Sequence, residues 1–299
     1  MRVGSLCTGY GGLEMGLEAA FGDIDLRFVS DIDKDVSTLL THHYPHISNL
    51  GDLTTVDWKQ QDEIDVLTAG YPCQPFSTAG KRKGSEDARG QIFNYIKDAV
   101  SVLRPRYLFL ENVSGHLTLG GTSVTGSLAS MGYDMRWGIV RASDTGAPHK
   151  RARWFCLAWN TKSRNGGRTK HSCLDQRNRS AKLGKSDSAV TTDAGGERLQ
   201  RLRRERELGK RQRSQHTSWH NYEFAIRRWE QVLGREAPEP TNNKGVEPVF
   251  VEWLMGLPEG HVTSLGLSRS AELKMLGNGV VPQQARLALQ ILTEGGVYA

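Results

Sequence analysis

Short apolar runs alternate with longer amphipathic stretches over the first 159 of the chain's 299 residues. This alternation is typical of a parallel β-sheet covered by helices. The apolar runs predict six strands, at Arg2–Leu6, Leu26–Ser30, Asp65–Ala69, Tyr107–Glu111, Met135–Arg141 and Trp154–Ala158. The amphipathic stretches predict four helices, at Gly12–Phe21, Asp33–His43, Ile92–Leu103 and Thr122–Met131. We therefore expect an α/β fold with a doubly wound sheet, in which ligands bind beyond the carboxyl ends of the strands.

Apolar periodicity nearly disappears after Asn160 and returns at Trp219. From there a predicted helix, Trp219–Leu233, repeats apolar residues at helical spacing, and we interpret this stripe as core rather than as a binding surface. Its members are Tyr222, Ile226, Trp229 and Leu233. A final helix is predicted near Gln283–Leu292. We predict a main domain over 1–159, completed by about 268–299, and a smaller region over 160–267.

Positive charge is concentrated in the polar segment that separates these regions. From Asn160 to Gln215 there are 16 Lys or Arg against 6 Asp or Glu, whereas the whole chain carries only +6. Such a segment suits contact with a polyanion, because neutralised phosphates release their counterions. The alternative is a solvated segment that is partly disordered over 161–217.

Composition excludes several other classes of protein. No apolar run approaches the roughly 20 residues that span a bilayer, and the first residues do not resemble a secretion signal. The four cysteines, Cys7, Cys73, Cys156 and Cys173, form no Cys-x-x-Cys pair. We therefore expect reduced thiols, no metal site and a cytoplasmic protein.

Glycines and acids follow the first predicted strands. Gly9-Tyr-Gly-Gly12 comes directly after the first strand and opens a helix, where glycine lets a nucleotide-like ligand approach the backbone. Asp31 and Asp52 stand where carboxylates accept hydrogen bonds from a ribose and from an adenine amino group. A plain strand-to-helix turn and ordinary helix caps are the alternatives.

Cys73 lies between two prolines just past the Asp65–Ala69 strand, in Pro72-Cys-Gln-Pro75. A stiff turn at this place presents a thiol to a ligand, although a passive buried cysteine is the commoner situation. The loop Thr78–Gly90 follows, and it can close over a phosphate backbone or remain a solvated loop. Its basic residues are Lys81, Arg82, Lys83 and Arg89.

Polar residues at two later strand positions complete the candidate site. Glu111 ends the Tyr107–Leu110 strand, so its carboxylate is expected at the same rim as Cys73, where it would contact a base edge or serve as a structural acid. Arg151 and Arg153 precede another strand with the spacing that places side chains on one face. One of the two arginines would engage a base carbonyl while the other braces the site.

In this order the motifs resemble the cytosine-5 DNA methyltransferase family over nearly all of the chain outside 161–217. Leu6-Cys-Thr-Gly-Tyr-Gly-Gly12 resembles the family's first cofactor motif, and Pro72-Cys73-Gln74 its nucleophile motif. Glu111-Asn-Val113 and His149–Arg153 match two further motifs. Near the end, Glu252–Pro258 resembles the motif that packs the target-recognition region, and Gly277–Pro282 the last cofactor motif, which folds back beside the first.

The resemblance implies a Rossmann-like S-adenosylmethionine-dependent methyltransferase that modifies a flipped cytosine in duplex DNA. Cys73 would attack C6, Glu111 would donate to N3, Arg153 would hold O2, and Arg151 would brace them. The implied cofactor contacts are Cys7, Gly9, Gly11, Gly12, Asp31, Ile32, Asp52, Pro72, Asn278, Gly279 and Val280. The implied DNA contacts are Gln74, Ser77, Lys81, Arg82, Lys83 and Arg89.

The resemblance further implies a monomer in the cytoplasm of a bacterium, or of a virus-infected bacterium. A cognate restriction endonuclease is an expected partner, and S-adenosylhomocysteine is the expected product. Three alternatives stay open at this point: thymidylate-synthase-like chemistry on a free nucleotide, methylation of cytosine in RNA, and a non-catalytic nucleic-acid-binding protein with the same fold.

The basic segment generates a first prediction. Deleting Thr161–Gln215 should weaken DNA binding and flatten the dependence of log affinity on log salt, because fewer counterions are released per complex. Titration of a fluorescent duplex between about 50 and 200 mM salt measures this slope. An unchanged slope would show that the segment is only a linker.

Overall fold

The computed structural model describes residues 1–72, 92–116, 121–161 and 219–294. Contacts divide the chain into two compact units, Met1–Lys170 with Ala225–Ala299, and His171–Phe224. The domain boundaries drawn from the sequence, 1–159 with 268–299 and 160–267, stay a prediction. The elements below belong to the first unit, apart from the first residues of α5.

A seven-stranded sheet in the order β3-β2-β1-β4-β5-β7-β6 forms the centre of this unit. Its strands are β1 (Arg2–Leu6), β2 (Asp25–Ser30), β3 (Ser48–Asn49), β4 (Val66–Gly70), β5 (Tyr107–Val113), β6 (Tyr133–Arg141) and β7 (Ala152–Asn160). The central strands are apolar along almost their whole length because helices cover both faces of the sheet. All six strands predicted from the sequence are present, and the two-residue strand β3 is an addition.

The helices of the first half are α1 (Gly12–Phe21), α2 (Lys34–His43), α3 (Ile92–Leu103) and α4 (Thr122–Ser130). The helices of the second half are α5 (Glu223–Leu233), α6 (Pro248–Leu254), α7 (Arg269–Asn278) and α8 (Pro282–Glu294). A short antiparallel hairpin, β8 (Thr241–Asn242) and β9 (Gly245–Val246), precedes α6. In the part of the chain that the structure describes, no helix has the length and apolar character to cross a membrane.

One strand departs from the parallel arrangement that the sequence predicts. β1, β2, β3, β4 and β5 pair in parallel, but β7 runs antiparallel to both β5 and β6. The connection from β6 to β7 is too short for a helical crossover, which a parallel neighbour would need. β7 therefore inserts between β5 and β6, and its first residues lie at the same sheet edge as the last residues of β5.

The apolar stripe of α5 is only partly as predicted. Ile226 and Trp229 are buried, and the Trp229 indole donates to the carbonyl oxygen of Trp253 on α6 at 3.0 Å. Tyr222, however, is 67% exposed. It lies in a 3₁₀ turn before α5 begins, so the helical spacing does not extend to it.

The sheet order places a topological switch point between β1 and β4. The chain leaves β1 toward β2 on one side and returns to β4 on the other, which opens a crevice beyond the carboxyl ends of these strands. α8, from the end of the chain, packs on α1 beside this crevice. A Cβ on Gly16 would lie 2.5 Å from the Cβ of Ala285, so the two helices approach closely at this glycine.

Gly16→Ala should therefore destabilise the fold by about 1–3 kcal/mol, because an added methyl forces α1 and α8 apart. Gly126→Ala in α4 is the matched control, since no atom lies within 4 Å of its added Cβ. Replacing glycine inside an open helix stabilises by up to about 1 kcal/mol. Urea unfolding of the two variants measures both effects, and equal stabilities would contradict the close packing of α1 on α8.

Candidate active site

A cavity of about 590 Å³ occupies the crevice at the carboxyl ends of β1, β2, β4 and β5. Its size is that of a typical small-molecule site. Most of the residues predicted from the sequence line it: Cys7, Gly9, Gly12, Asp31, Ile32, Asp52, Pro72, Glu111, Arg153, Asn278, Gly279 and Val280. The structure thus brings together residues from both ends of the chain.

The turn from β1 into α1 forms one wall of the cavity. Its backbone adopts positive φ at Cys7 (50°), Gly9 (57°) and Gly11 (85°). No atom lies within 4 Å of the position that a Cβ on Gly9 would take, so this backbone is open to a ligand. A Cβ on Gly11 would instead lie 3.0 Å from the Tyr44 hydroxyl. Gly11 is therefore needed for packing, and it does not line the cavity.

Carboxylates form the wall that follows β2. Asp31 accepts hydrogen bonds from the backbone N–H of Gly9 at 2.9 Å and of Asp33 at 3.0 Å. Burial raises the pKa of Asp31 above its ordinary value. Asp52 stands on the neighbouring loop and accepts from the N–H of Thr54 at 3.0 Å. Both acids keep lone pairs for hydroxyl or amino donors of a ligand.

Two apolar contacts complete the same wall. The side chain of Ile32 lines the cavity and is 71% exposed although it is large and apolar, so it offers an apolar surface to a ligand. Burial, helped by the nearby charge of Asp31, raises the pKa of the Cys7 thiol to about 12. Cys7 therefore stays a neutral thiol at physiological pH and is a wall contact, not a nucleophile.

The segment Gly277–Val280, which comprises the last two residues of α7 and the two that follow them, forms the opposite wall. A Cβ on Gly12 would lie 2.1 Å from the carbonyl oxygen of Val280, so this segment lies directly against the first turn of α1. Arg151 holds the segment by donating through Nη2 to the carbonyl oxygens of Gly277 at 2.9 Å and Gly279 at 2.5 Å. Arg151 does not line the cavity, so it has the bracing position of the two arginines.

Glu111 and Arg153 form a buried ion pair at the end of the cavity. Arg153 Nε lies 2.9 Å from Glu111 Oε1, and the two side chains are only 17% and 9% exposed. Burial raises the pKa of Glu111 to about 7, although the charges of Arg153 and Arg151 oppose the rise. Near neutral pH the carboxyl is therefore partly protonated, and it can donate a proton to a basic ring nitrogen.

The sequence did not predict the position of Asn112 in the site. Its side-chain Nδ2 donates to the carbonyl oxygen of Tyr71 at 3.1 Å and fixes the backbone just before Pro72. Tyr71 is also held at its hydroxyl, 2.9 Å from His116 Nε2. The sequence signal for this positioning role was an amide directly after a candidate acid at the end of an apolar strand. An amide that is buried there needs a hydrogen-bond partner.

Several predicted site residues lie outside the described residues. They are the nucleophile candidate Cys73 and the DNA contacts Gln74, Ser77, Lys81, Arg82, Lys83 and Arg89. The segment 162–217 also lies outside. The last described residue before Cys73 is Pro72, which lines the cavity.

An ion pair that the sequence did not reveal joins the two walls. Lys274 Nζ on α7 lies 2.6 Å from Asp33 Oδ2, and both residues line the cavity. The Asp33 carboxylate also caps α2 by accepting from the N–H of Asp35 at 2.9 Å. The hydrogen bond to Lys274 lowers the pKa of Asp33. Within the described ranges, no group of three or more His, Cys, Asp or Glu is arranged to hold a metal ion.

The sequence matches the family described as C-5 cytosine-specific DNA methylase over residues 1–291. It is 34% identical over 163 residues to the Type II methyltransferase M.NlaX of Neisseria lactamica, a match that covers 53% of this chain and 52% of that protein. It is also 34% identical over 163 residues to the orphan methyltransferase M.Rho11sI of Bacillus phage rho11s, covering 52% of this chain and 32% of that protein. The chain spans about half or less of the length of these curated relatives.

Two solved structures have the same fold. The Dnmt2 methyltransferase of S. pombe aligns with a TM-score of 0.62 at 19% identity, covering 99% of this chain and all of that chain. A putative DNA modification methyltransferase encoded within an E. coli prophage aligns with a TM-score of 0.60 at 20% identity, covering 97% of each chain. These alignments confirm the α/β fold that the sequence predicts.

Arg153→Met tests the electrostatics of the buried pair. Removing the guanidinium should raise the pKa of Glu111 well above 7, because burial then acts with less opposing charge. An NMR titration of ¹³C-labelled glutamate carboxyls measures this pKa. Arg106→Met, which removes a guanidinium stacked on Tyr107 at the other end of β5, is the control and should not change it.

Arg153→Met should also change how the free energy of unfolding depends on pH. In the wild-type chain the pKa of Glu111 is about 7 when folded and 4.5 as a free side chain, so this group lowers stability as pH rises between those values. In Arg153→Met the loss should continue to higher pH, seen as a continuing fall of Tm. A Glu111 titration that is the same in both proteins would contradict the ion pair.

Proposed function

The chain belongs to the C-5 cytosine-specific DNA methylase family, and we propose that it transfers a methyl group from S-adenosylmethionine to C5 of a flipped cytosine in duplex DNA. The observation that carries this proposal is the position of Glu111. Its carboxyl, with a pKa of about 7, lines the same cavity as the acids after β2 and as Pro72, the residue before Cys73. A proton donor, the residue that precedes the proposed nucleophile and a cavity of small-molecule size therefore lie at one sheet edge.

The cavity fits S-adenosylmethionine by its chemistry. Asp31 and Asp52 offer carboxylate acceptors for ribose hydroxyls and for an adenine amino group, and Ile32 offers an apolar surface for the adenine ring. The open backbone at Gly9 leaves room for the methionine part, and the acidic lining suits its sulfonium and ammonium charges. When bound there, the cofactor supplies an electrophilic methyl group, and S-adenosylhomocysteine is left as the product.

Covalent catalysis by Cys73 overcomes the low reactivity of cytosine C5. The thiolate adds to C6, and the displaced electron pair makes C4–C5 an enamine that is nucleophilic at C5. After methylation, loss of the proton on C5 returns its electron pair to the ring and expels the Cys73 thiolate. A free cysteine has a pKa of about 8.5, so Cys73 needs a cationic or helix-terminal setting to be reactive.

Glu111 and Arg153 serve this addition from the end of the cavity. Glu111 donates its proton to N3 of the base while the thiolate adds to C6, so negative charge does not accumulate on the ring. Arg153 holds the carboxyl of Glu111 by its Nε. Its Nη1 donates to the carbonyl oxygen of Ala152 at 3.0 Å, and we propose that the N–H groups on Nη2 donate to O2 of the base. Asn112 fixes the carbonyl of Tyr71, so it positions the segment that leads to Cys73.

Duplex DNA is the proposed partner. A target carbon inside a helix must be flipped out, which costs on the order of a few kcal/mol that protein contacts offset. For these contacts we propose Gln74, Ser77, the basic loop with Lys81, Arg82, Lys83 and Arg89, and the basic segment 161–217. We further propose that the protein is a monomer and acts in the cytoplasm of a bacterium or of a phage-infected bacterium. Its proposed protein partner is a cognate restriction endonuclease. Relatives from Neisseria lactamica and from a Bacillus phage support this setting.

Transfer of a labelled methyl group from S-adenosylmethionine to duplex DNA tests the function. The wild-type chain should label DNA, and Cys73→Ala should abolish labelling while binding S-adenosylhomocysteine as before, because the thiol is needed only for the covalent step. Cys156→Ala is the matched control. Cys156 is buried in the core and burial raises its pKa to about 12, so its loss should leave transfer intact.

Each other outcome contradicts a separate part of the proposal. Undiminished labelling by Cys73→Ala would exclude the covalent mechanism. Labelling of tRNA in preference to duplex DNA in a competition would assign an RNA substrate. Binding of neither S-adenosylmethionine nor its product by the folded wild-type chain would exclude the cofactor assignment.

A further inference from the structure

We propose that Tyr10 and His261 are positioning residues that hold the two walls of the cofactor cavity together, and that cofactor affinity depends on both. This inference rests on the proposed function, because it names the residues that organise the same site. Neither residue was a candidate in the sequence, and neither lines the cavity. Tyr10 acts through the backbone of Val280, which lines the cavity, and His261 acts through the turn between Gly9 and Gly12, two residues that line it.

Tyr10 binds both walls at once. It lies in the β1–α1 turn, is fully buried, and donates through its hydroxyl to the carbonyl oxygen of Val280 at 2.9 Å. Its ring also lies under Gly279, where an added Cβ would be 1.9 Å from the ring edge. The segment Gly277–Val280 therefore packs on the Tyr10 ring and accepts a hydrogen bond from its hydroxyl.

His261 holds the other side of the same turn. Its Nε2 lies 2.8 Å from the carbonyl oxygen of Tyr10, and the two rings meet edge to face with centroids 6.2 Å apart. Since a carbonyl only accepts, His261 must carry its proton on Nε2. This hydrogen bond orients the peptide that follows Gly9-Tyr10 and leads into Gly12.

A buried carboxylate fixes the turn that carries His261. Glu252 on α6 accepts from the backbone N–H groups of Gly260 and Val262, each at 2.7 Å, and of Thr263 at 3.0 Å. His261 is therefore presented by a rigid segment rather than by a mobile loop. The motif that contains Glu252 is thus connected to the turn between β1 and α1 through the imidazole of His261.

A second imidazole covers His261. The His43 ring, at the end of α2, stacks on it with centroids 4.1 Å apart and an angle of 11°, and His43 Nε2 lies 2.8 Å from the His261 carbonyl oxygen. Burial lowers the pKa of His261, and the nearby His43 and His42 lower it further. The hydrogen bond to the Tyr10 carbonyl and the charge of Glu252 oppose this shift. At neutral pH His261 is therefore uncharged, and its ring proton lies on Nε2, where it donates to the Tyr10 carbonyl oxygen.

Calorimetry of S-adenosylhomocysteine binding to the full chain tests the inference. Tyr10→Phe removes only the hydroxyl and should weaken binding about threefold to tenfold, the range expected for one buried hydrogen bond. Tyr133→Phe is the matched control. The Tyr133 hydroxyl is also buried and also donates to a backbone carbonyl, that of Pro105 at 2.7 Å, so its loss should cost similar stability and leave affinity unchanged.

Substitutions at His261 separate positioning from simple packing. His261→Leu should weaken binding by a similar factor, whereas His261→Gln keeps a neutral N–H at the position of Nε2 and should restore it.

The results discriminate between failure of this inference and failure of the proposed function. Equal affinity of wild type, Tyr10→Phe and His261→Leu, or an equal loss in Tyr133→Phe, would overturn the positioning role while leaving the cofactor assignment intact. A wild-type chain that is folded and does not bind the ligand would instead overturn the proposed function.

Discussion

The close approach of the two ends of the chain is the constraint on which the rest of the site depends. The loop after α7 lies so near the first turn of α1 that neither Gly12 nor Gly279 has space for a Cβ. This contact closes the crevice that the strand order opens beyond β1 and β4. Without it, the acids after β2 would line an open groove, and Arg151, Tyr10 and Val280 would lose their partners.

Burial of charge is the second organising feature, and neighbouring groups compensate it at Glu111 and at Glu252. Glu111 keeps its carboxyl inside the protein because Arg153 lies 2.9 Å away. Among the described residues, the hydrogen-bond partners of Glu252 include no cation, and three backbone N–H groups stabilise it instead. The first arrangement leaves a proton exchangeable near neutral pH, as catalysis requires. The second holds a turn rigid, as the position of His261 requires.

The sequence predicted the features that local pattern determines. Strands β1, β4 and β5 are continuous apolar runs, and Asp31 and Glu111 end or follow such runs, so their meeting at one sheet edge follows from parallel pairing. The antiparallel direction of β7 was missed because strand direction depends on the connection, not on composition. The spacing of Arg151 and Arg153 did not separate their roles, because both were expected to face the same edge, and only the resemblance assigned O2 of the base to Arg153. Only their distances to Gly277, Gly279 and Glu111 separate a brace from a site residue.

Contacts between distant segments were beyond the reach of sequence patterns. Tyr10 and His261 are 251 positions apart in the chain, and nothing in either local sequence indicates their hydrogen bond. The same holds for Asp33 and Lys274. Such pairs are fixed by the packing of α8 on α1 and of Val280 against the first turn of α1. This packing is a property of the whole fold.

Amide hydrogen exchange of the full chain, with and without S-adenosylhomocysteine, tests most directly whether both ends of the chain build one cofactor site. We expect the ligand to slow amide exchange at 6–13 and at 277–281 together, and the protection of the two segments to depend on ligand concentration in the same way. Protection at 6–13 alone, with 277–281 exchanging as in the free protein, would contradict it.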